Sequence, residues 1–191
     1  MRKRAVAAAL ATAVIAGTSA RVAPAGAATD MCVAANGAVR VQKGSAFCEA
    51  SGTGSVAIAR GTNSLAFATG GDHNKARAFG FRSEAIAANG ENNTASASGT
   101  LSFAVASEGD DNTATASGVR SNAGAQFGDN NTATASGDFS FALAFEGDNN
   151  TATASGDGSF AVAGLGENNT AVATSACFAE AVGGSNLSDS C

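Results

Sequence analysis

A stretch of 19 residues recurs seven times between Gly52 and Gly184, and one copy, GDNNTATASGDFSFALAFE, runs from Gly128 to Glu146. Self-similarity at such a short period is typical of solenoids, in which each copy forms one coil and buries its inner side only against neighbouring coils. The copies follow one another without an evident insertion or deletion, so we expect coils of equal length. The repeat therefore predicts the fold class, an all-β parallel solenoid (β-roll) of about seven coils.

Each copy is expected to contain two turns and two short strands. Numbered from its opening glycine, a copy has a glycine-led turn at position 1 and, in most copies, another at position 10. Between the turns lie segments of alternating character, such as Asn150–Ala154 and Ser159–Ala163. Alternation with a period of two residues indicates β-strands. Each coil should therefore run turn, strand, turn, strand.

The alternation also predicts which side chains face inward. Alanine occupies positions 6 and 8 in all seven copies and positions 15 and 17 in the first six. Positions 5 and 7 vary and include Lys75 and Arg77, which could not be buried unpaired in a thin roll. We therefore expect an alanine-lined interior. The alternative orientation buries Phe and Val instead, and would point Lys75, Arg77 and Glu84 inward.

An alanine interior is thin, so other interactions must contribute to stability. Buried methyl groups contribute under roughly 1 kcal/mol each. Serine or asparagine at positions 4 and 13 should share the interior, and the asparagines would stack at about 4.8 Å, the spacing of neighbouring strands. This arrangement suits an asparagine ladder. The ladder would comprise Asn74, Asn93, Asn112, Asn131, Asn150 and Asn169.

Outward positions 14 and 16 carry large apolar side chains. A stripe of this kind, left in water, indicates a partner surface, and we expect self-association into a dimer or trimer. Glu84 in the second copy, and Asn122 with Gly124 in the fourth, interrupt the stripe and should divide it into two patches. The candidate oligomer face comprises Phe103, Val105, Phe141, Leu143, Phe145, Phe160 and Val162.

The N-terminus indicates export. Residues 1–28 combine a basic start, an apolar Ala-rich run and a small-residue cleavage site, which is the pattern of a signal peptide. No other segment has the roughly 20 apolar residues that span a bilayer, so we expect a secreted or cell-surface protein without a membrane span in the mature chain. The mature chain divides into an N-terminal cap at 29–51, solenoid repeats at 52–176 and a C-terminal cap at 177–191.

The charge of the mature chain argues against nucleic acid as a partner. Without its four leader residues Arg2, Lys3, Arg4 and Arg21, the chain keeps 7 of 11 basic residues against 16 acidic ones, a balance of −9. Phosphate binding requires a basic surface. We therefore do not expect nucleic acid as a partner.

Four cysteines flank the repeats, and an exported chain with an even number of cysteines suggests disulfides. Three pairings are open. Cys32–Cys48 and Cys177–Cys191 would each close a short loop at one end of the solenoid. Such closure would suit coil ends that otherwise expose unpaired strand edges.

The motif G-x-x-S-x-A-x-A, found in Gly61–Ala68 and Gly99–Ala106, resembles the head repeats of YadA-like trimeric autotransporter adhesins. The resemblance covers about Gly52 to Ala173. It implies a parallel β-roll, lateral association into a trimer and binding to host or matrix surfaces. The chain differs from that family in its longer coil, in its cysteine-bearing ends, and in showing neither a coiled-coil stalk nor a membrane barrel.

Two further stacked arrays suggest alternative functions. A Thr-x-Thr array at Thr113/Thr115, Thr132/Thr134 and Thr151/Thr153, extended by Thr94/Ser96, looks like the ice-binding face of β-solenoid antifreeze proteins. Strand propensity alone would also favour threonine there. The acidic column at position 2, which includes Asp110, Asp129 and Asp148, is a weak candidate for a calcium site, since stacked like charges repel, although Gly, Asp and Asn are also typical turn residues.

Catalysis has little support in the sequence. His73 is the only histidine, and its position in the turn predicts an exposed residue. The acidic residues recur on every coil, whereas a catalytic site is a single constellation. We therefore expect neither an enzyme nor a bound cofactor.

Overall fold

The computed structural model describes residues 30–191, and the predicted signal peptide at 1–28 lies outside this range. The described residues form 18 β-strands in two sheets and no helix, so they include no helical membrane span. Sheet A contains β1 (Met31–Ala35), β2 (Ala38–Lys43), β4 (Val56–Arg60), β6 (Lys75–Phe79), β8 (Thr94–Ala97), β10 (Thr113–Ala116), β12 (Thr132–Ala135), β14 (Thr151–Ala154), β16 (Thr170–Ala173) and β18 (Ser188–Ser190). Sheet B contains β3 (Phe47–Ala50), β5 (Leu65–Thr69), β7 (Glu84–Ala88), β9 (Phe103–Ser107), β11 (Asn122–Gln126), β13 (Phe141–Phe145), β15 (Phe160–Gly164) and β17 (Phe178–Val182).

Successive coils stack as parallel strands, which confirms the predicted β-solenoid. Each coil contributes one strand to each sheet, and pairing across most coil junctions is offset by one repeat, as in Thr113 with Thr132 and Ala142 with Ala161. The cap strands add to this stack, because β3 pairs with β5 in parallel. The rod therefore has about eight coils rather than seven.

Alanine lines the interior, as predicted from the alternation. The alanines at positions 6, 8, 15 and 17 are fully buried in both sheets, whereas Lys75 and Arg77 are exposed. The alternative orientation, with Phe and Val inside, is therefore excluded. The interior is a methyl-lined space between two closely spaced sheets.

The position-4 asparagines are fully buried and join each coil to the next. Nδ2 of Asn112 donates to the Gly128 carbonyl at 2.7 Å, and its Oδ1 accepts from the backbone N–H of Asn131 at 3.0 Å. The predicted ladder is thus present, but each amide bonds to the backbone of the neighbouring coil instead of to the next side chain. These bonds offset the cost of removing the amides from water, so the amides can lie inside an apolar wall.

The turns require unusual backbone conformations. Residues with positive φ recur at positions 3, 12 and 19, and they include Leu101 (φ 58°) and Phe139 (φ 55°) as well as asparagines. Non-glycine residues in this region cost of order 1 kcal/mol or more. At Gly109 (φ 148°) an added Cβ would collide with the backbone carbonyl of Gly128 in the next coil. Close stacking of the coils therefore excludes a side chain at that glycine.

The N-terminal cap differs in topology from the repeats. Asn36 (φ 50°) and Gly37 (φ 78°) form a two-residue turn that reverses the chain between β1 and β2. Positive φ at both central residues is characteristic of a β-hairpin turn that the sequence Asn-Gly favours. Strand β1 then pairs with β4 in antiparallel orientation. This reversal ends the parallel stacking of sheet A at the N-terminal end of the rod, whereas β3 in sheet B still pairs in parallel.

The last coil is one residue shorter than the others, so the expectation of equal coils is wrong there. Phe160 pairs with Phe178, an offset of 18 residues, and Ala179 and Ala181 are buried, not Glu180 and Val182. The missing residue falls in the turn before Cys177. Its loss shifts the phase of the following strand by one residue, which keeps alanine inside and Glu180 outside.

Both predicted disulfides are present. Cys32 in sheet A and Cys48 in sheet B are fully buried and join the two sheets inside the rod, with Cα atoms 5.6 Å apart. Cys177 and Cys191 bridge the last coil, with Cα atoms 6.2 Å apart. The described residues contain no free cysteine.

Candidate functional site

The candidate site is an outer surface of the rod. The apolar face is the part of the outward side of sheet B that is formed by Phe103, Val105, Phe141, Leu143, Phe145, Phe160 and Val162. Parallel pairing places these residues in register, with Phe141 beside Phe160 and Leu143 beside Val162. The sheet brings together residues that are up to three copies apart in sequence. The structure thus assembles the predicted face as one flat side of the rod.

Side chains on the apolar face partly cover one another, so the stripe is less open to water than expected. Val105 is only 9% exposed, and the rings of Phe141 and Phe160 stack with centroids 6.1 Å apart. Neighbouring strands lie about 4.8 Å apart, so large side chains in register contact each other. Phe160, with 44% of its surface exposed, is the most open member of the set.

One of the two predicted interruptions is bridged. Gly124 is buried, because Leu143 of the next coil lies over it, and a Cβ added at Gly124 would be 3.0 Å from Leu143 Cδ1. The missing side chain therefore provides room for leucine, and the face continues across this coil. Asn122 beside it stays half-buried.

Glu84 remains a true interruption. It pairs with Leu65 on one side and Phe103 on the other. Burial among these apolar neighbours raises the pKa of the Glu84 carboxyl, because desolvation disfavours the charged form. Between Glu84 and Glu180, strands β9 to β15 carry no charged residue.

The opposite side of the rod is a hydroxyl face. Parallel pairing aligns the predicted Thr-x-Thr array in two columns. The first column extends over five strands, because Thr170 continues it, while the second changes to Val172 at that strand. These side chains are half-buried on a regular sheet. The columns are Thr94, Thr113, Thr132, Thr151 and Thr170, and Ser96, Thr115, Thr134 and Thr153.

The acidic column contributes hydrogen bonds to the turns. Oδ1 of Asp129 accepts from the backbone N–H of Asp110 at 2.8 Å, and Oδ1 of Asp148 accepts from that of Asp129 at 2.9 Å. Asp110 does the same for Glu91. Among residues 30–191, no group of three or more His, Cys, Asp or Glu side chains is placed to hold a metal ion. His73 is an exposed turn residue with φ 57°, as predicted.

A second group of apolar side chains was missed by the sequence reasoning. The turn that leads from sheet A into sheet B exposes Phe81, Leu101, Val119 and Phe139. The guanidinium of Arg120 lies 5.5 Å from the centroid of the Phe139 ring. Positions 11 and 12 vary between copies, so the pattern of the repeat did not identify them. The signal that could have identified these residues is a large apolar side chain at position 11 or 12 in each of four copies.

Comparisons with protein-family models, curated proteins and solved structures find no match to the chain. The resemblance to YadA-like head repeats therefore stays a prediction.

Proposed function

We propose that the mature protein is a secreted or cell-surface structural or adhesive protein, without catalytic activity, that self-associates through the apolar face. One observation carries this proposal: β9, β13 and β15 present Phe, Leu and Val side chains outward in register, and Leu143 of β13 lies over Gly124 of the intervening β11, while the inward side chains of the same strands already fill the interior. The chain has no further element among residues 30–191 to cover this face. A second copy would cover it.

The outward side of sheet B as a whole offers area for a second copy. Its eight strands, at about 4.8 Å spacing and about five residues each, cover roughly 600 Å², and the four strands from β9 to β15 that carry the apolar face provide about half of that area. A stable interface of standard size buries about 800 Å² per partner. Glu49, Glu84 and Glu180 are the only charged residues on the outward positions of sheet B. A charge-poor centre with charged ends matches the usual arrangement of an interface core and rim.

Light scattering on the purified mature chain tests the proposal. We expect a dimer or trimer, and expect Phe141→Ser with Leu143→Ser to shift the mass distribution toward monomer. Thr132→Ser with Thr134→Ser is the matched control, because these residues lie in the same coil on the opposite sheet. A monomeric wild type, or a double variant with unchanged mass, would contradict the proposal.

The hydroxyl face supports a second candidate function, ice binding. Its specific support is the threonine column that stays in register over five strands. The hydroxyl groups repeat at about 4.8 Å from strand to strand within a column, and the two columns lie about 6.6 Å apart along the strands. Regular hydroxyl and methyl groups at fixed spacing can order water. Thermal hysteresis of the wild-type protein, lost in Thr115→Lys with Thr134→Lys, is the expected result. Absence of hysteresis in the wild type would remove this candidate.

A further inference from the structure

The charges of the described residues are separated along the rod. Residues 30–83 contain six basic and three acidic residues, a balance of +3, whereas residues 84–191 contain one basic and thirteen acidic residues, a balance of −12. Coils stack in sequence order, so this separation along the chain is also a separation in space. The N-terminal end of the rod is basic although the protein as a whole is acidic.

Strand register brings four of the six N-terminal cations onto one face. Met31 pairs with both Lys43 and Arg60, so these three side chains share a face. Strand β6 lies next to β4 and adds Lys75 and Arg77 to the same outward side. Directly paired residues in a sheet point to the same face. We define the basic patch as Lys43, Arg60, Lys75 and Arg77, all of which are exposed.

Hydrocarbon side chains lie between these cations. Val56 pairs with Lys75 and Ile58 with Arg77, and both apolar residues are half-buried on the outer face. The Arg60 guanidinium lies 5.7 Å from the centroid of the Phe79 ring. A surface that alternates cations with apolar groups can contact both the charged group and the hydrocarbon of an amphiphilic anion. A fully hydrated anion would use only the cations.

An open groove adjoins the patch. It has a volume of about 630 Å³ and is lined by Met31, Arg60 and Phe81 together with backbone of the neighbouring turns. Asp30, also at the groove, accepts a hydrogen bond from the Ser45 hydroxyl at 2.6 Å. Phe81 is 44% exposed there. The groove therefore offers an apolar recess beside a cation.

We propose that the basic patch docks on an anionic lipid surface. The four cations supply the attraction to acidic headgroups, and Val56, Ile58 and the groove beside Arg60 accept hydrocarbon at the headgroup boundary, which is how interfacial binders gain affinity. The acidic remainder of the rod is repelled by such a surface. Docking is therefore confined to the N-terminal end and leaves the apolar face free. The proposal does not depend on self-association.

Vesicle cosedimentation tests this docking. The probes are vesicles of equal parts phosphatidylcholine and phosphatidylglycerol, and vesicles of phosphatidylcholine alone. We expect binding to the anionic vesicles only, with loss of binding as salt screens the charges. No binding to anionic vesicles at low salt, or equal binding to both kinds, would overturn the proposal.

The chain itself offers a matched variant. Lys75→Thr with Arg77→Thr converts this rung to Thr-Ala-Thr, the sequence found at 113–115, 132–134 and 151–153, so the fold should be kept. Each cation near an anionic surface contributes about fivefold in affinity, and the double variant should bind about 25-fold more weakly. Arg120→Asn, which removes a cation outside the patch, should bind as the wild type does. Unchanged binding of the double variant would refute the assignment.

A soluble polyanion separates lipid docking from simple charge binding. Dextran sulfate should compete with anionic vesicles only weakly, because it offers no hydrocarbon to the groove. If dextran sulfate binds the patch while the vesicles do not, the lipid assignment is wrong. Light scattering of Lys75→Thr with Arg77→Thr should give the wild-type mass, which keeps this test separate from the test of the apolar face.

Discussion

Asn131 and Asn150 are linked across neighbouring coils, because the backbone N–H of Asn150 donates to Oδ1 of Asn131 at 2.9 Å. Nδ2 of Asn131 also donates to the Gly147 carbonyl at 2.8 Å. One buried side chain thus satisfies a donor and an acceptor of the next coil. Six such amides join the coils of a rod whose interior is otherwise lined mainly by alanine methyl groups and serine hydroxyls.

Asn131→Ala should destabilise the fold by at least about 2 kcal/mol. The change leaves the N–H of Asn150 and the carbonyl of Gly147 without their partner, at about 1–3 kcal/mol for each buried group. Urea unfolding followed by circular dichroism measures the loss. Asn131→Ser is the control and should cost less, because Ser55 occupies this position in the first coil and accepts from the N–H of Asn74 at 3.2 Å. Equal stability of both variants and the wild type would contradict the ladder.

Ala133→Leu should destabilise the fold by about 1–3 kcal/mol or more, because overpacking a tight interior forces strain. Ala133 is fully buried between Ala114 and Ala152 of the adjacent strands. The neighbouring Thr134 points outward, so Thr134→Leu should change stability by about 0.5 kcal/mol or less. Thermal unfolding of the two variants compares them directly. A larger loss at Thr134 than at Ala133 would reverse the inside and outside assignment.

Cys32→Ala with Cys48→Ala should cost more than about 3 kcal/mol. That value is the loop-entropy contribution expected for a loop of about this length, the sequence separation being 16. The variant also loses two buried sulfur atoms from the interior. Cys177→Ala with Cys191→Ala has a similar separation of 14, but Cys191 is exposed. We therefore expect a smaller loss there, measured by chemical unfolding; the opposite order would contradict the packing role of Cys32 and Cys48.

Glu84 should make the fold less stable as pH rises. Burial raises the pKa of Glu84 in the folded protein, so the folded state binds more protons than the unfolded state above the unfolded pKa of about 4.3. The unfolding free energy therefore decreases with pH from that value up to the raised pKa. Urea unfolding at a series of pH values measures this slope. In Glu84→Gln the decrease should disappear, and an identical slope in both proteins would show that another group is responsible.

Much of the fold follows from the repeat because the same physical requirement acts on every coil. At positions 6, 8, 15 and 17 the interior is too narrow for more than a methyl group, which selects alanine there. The charged side chains of Lys75 and Arg77 show which side of the strands faces outward. The cysteine pairing was one of three possibilities, and the arrangement that closes the ends is the one observed. Each of the predictions about the coils drew on equivalent residues in seven copies, so one unusual residue could not change it.

Features that occur once were harder to predict. The reversal at Asn36–Gly37 has a recognisable turn signal, but the cap lies outside the repeat and gave no periodicity to support it. The shortened last coil shows in the sequence only as the loss of alanine at positions 15 and 17 of the seventh copy, where Glu180 and Val182 stand. One irregular copy does not distinguish a deletion from substitutions. Mutual coverage on the apolar face, and the bridging of Gly124 by Leu143, depend on side-chain directions that the sequence pattern does not specify.

The 19-residue offset of the hydrogen bonds gives the molecule a property of its own. Coils two to six present the same backbone groups and the same position-4 amide to their neighbours. Removing residues 128–146 would therefore join Phe127 to Gly147 and restore equivalent partners. Neither disulfide and none of the basic patch would be touched. The number of copies therefore sets the distance between the basic and acidic ends of the rod, at about 4.8 Å for each copy. Duplication or loss of a copy in the gene would lengthen or shorten the rod in steps of this size.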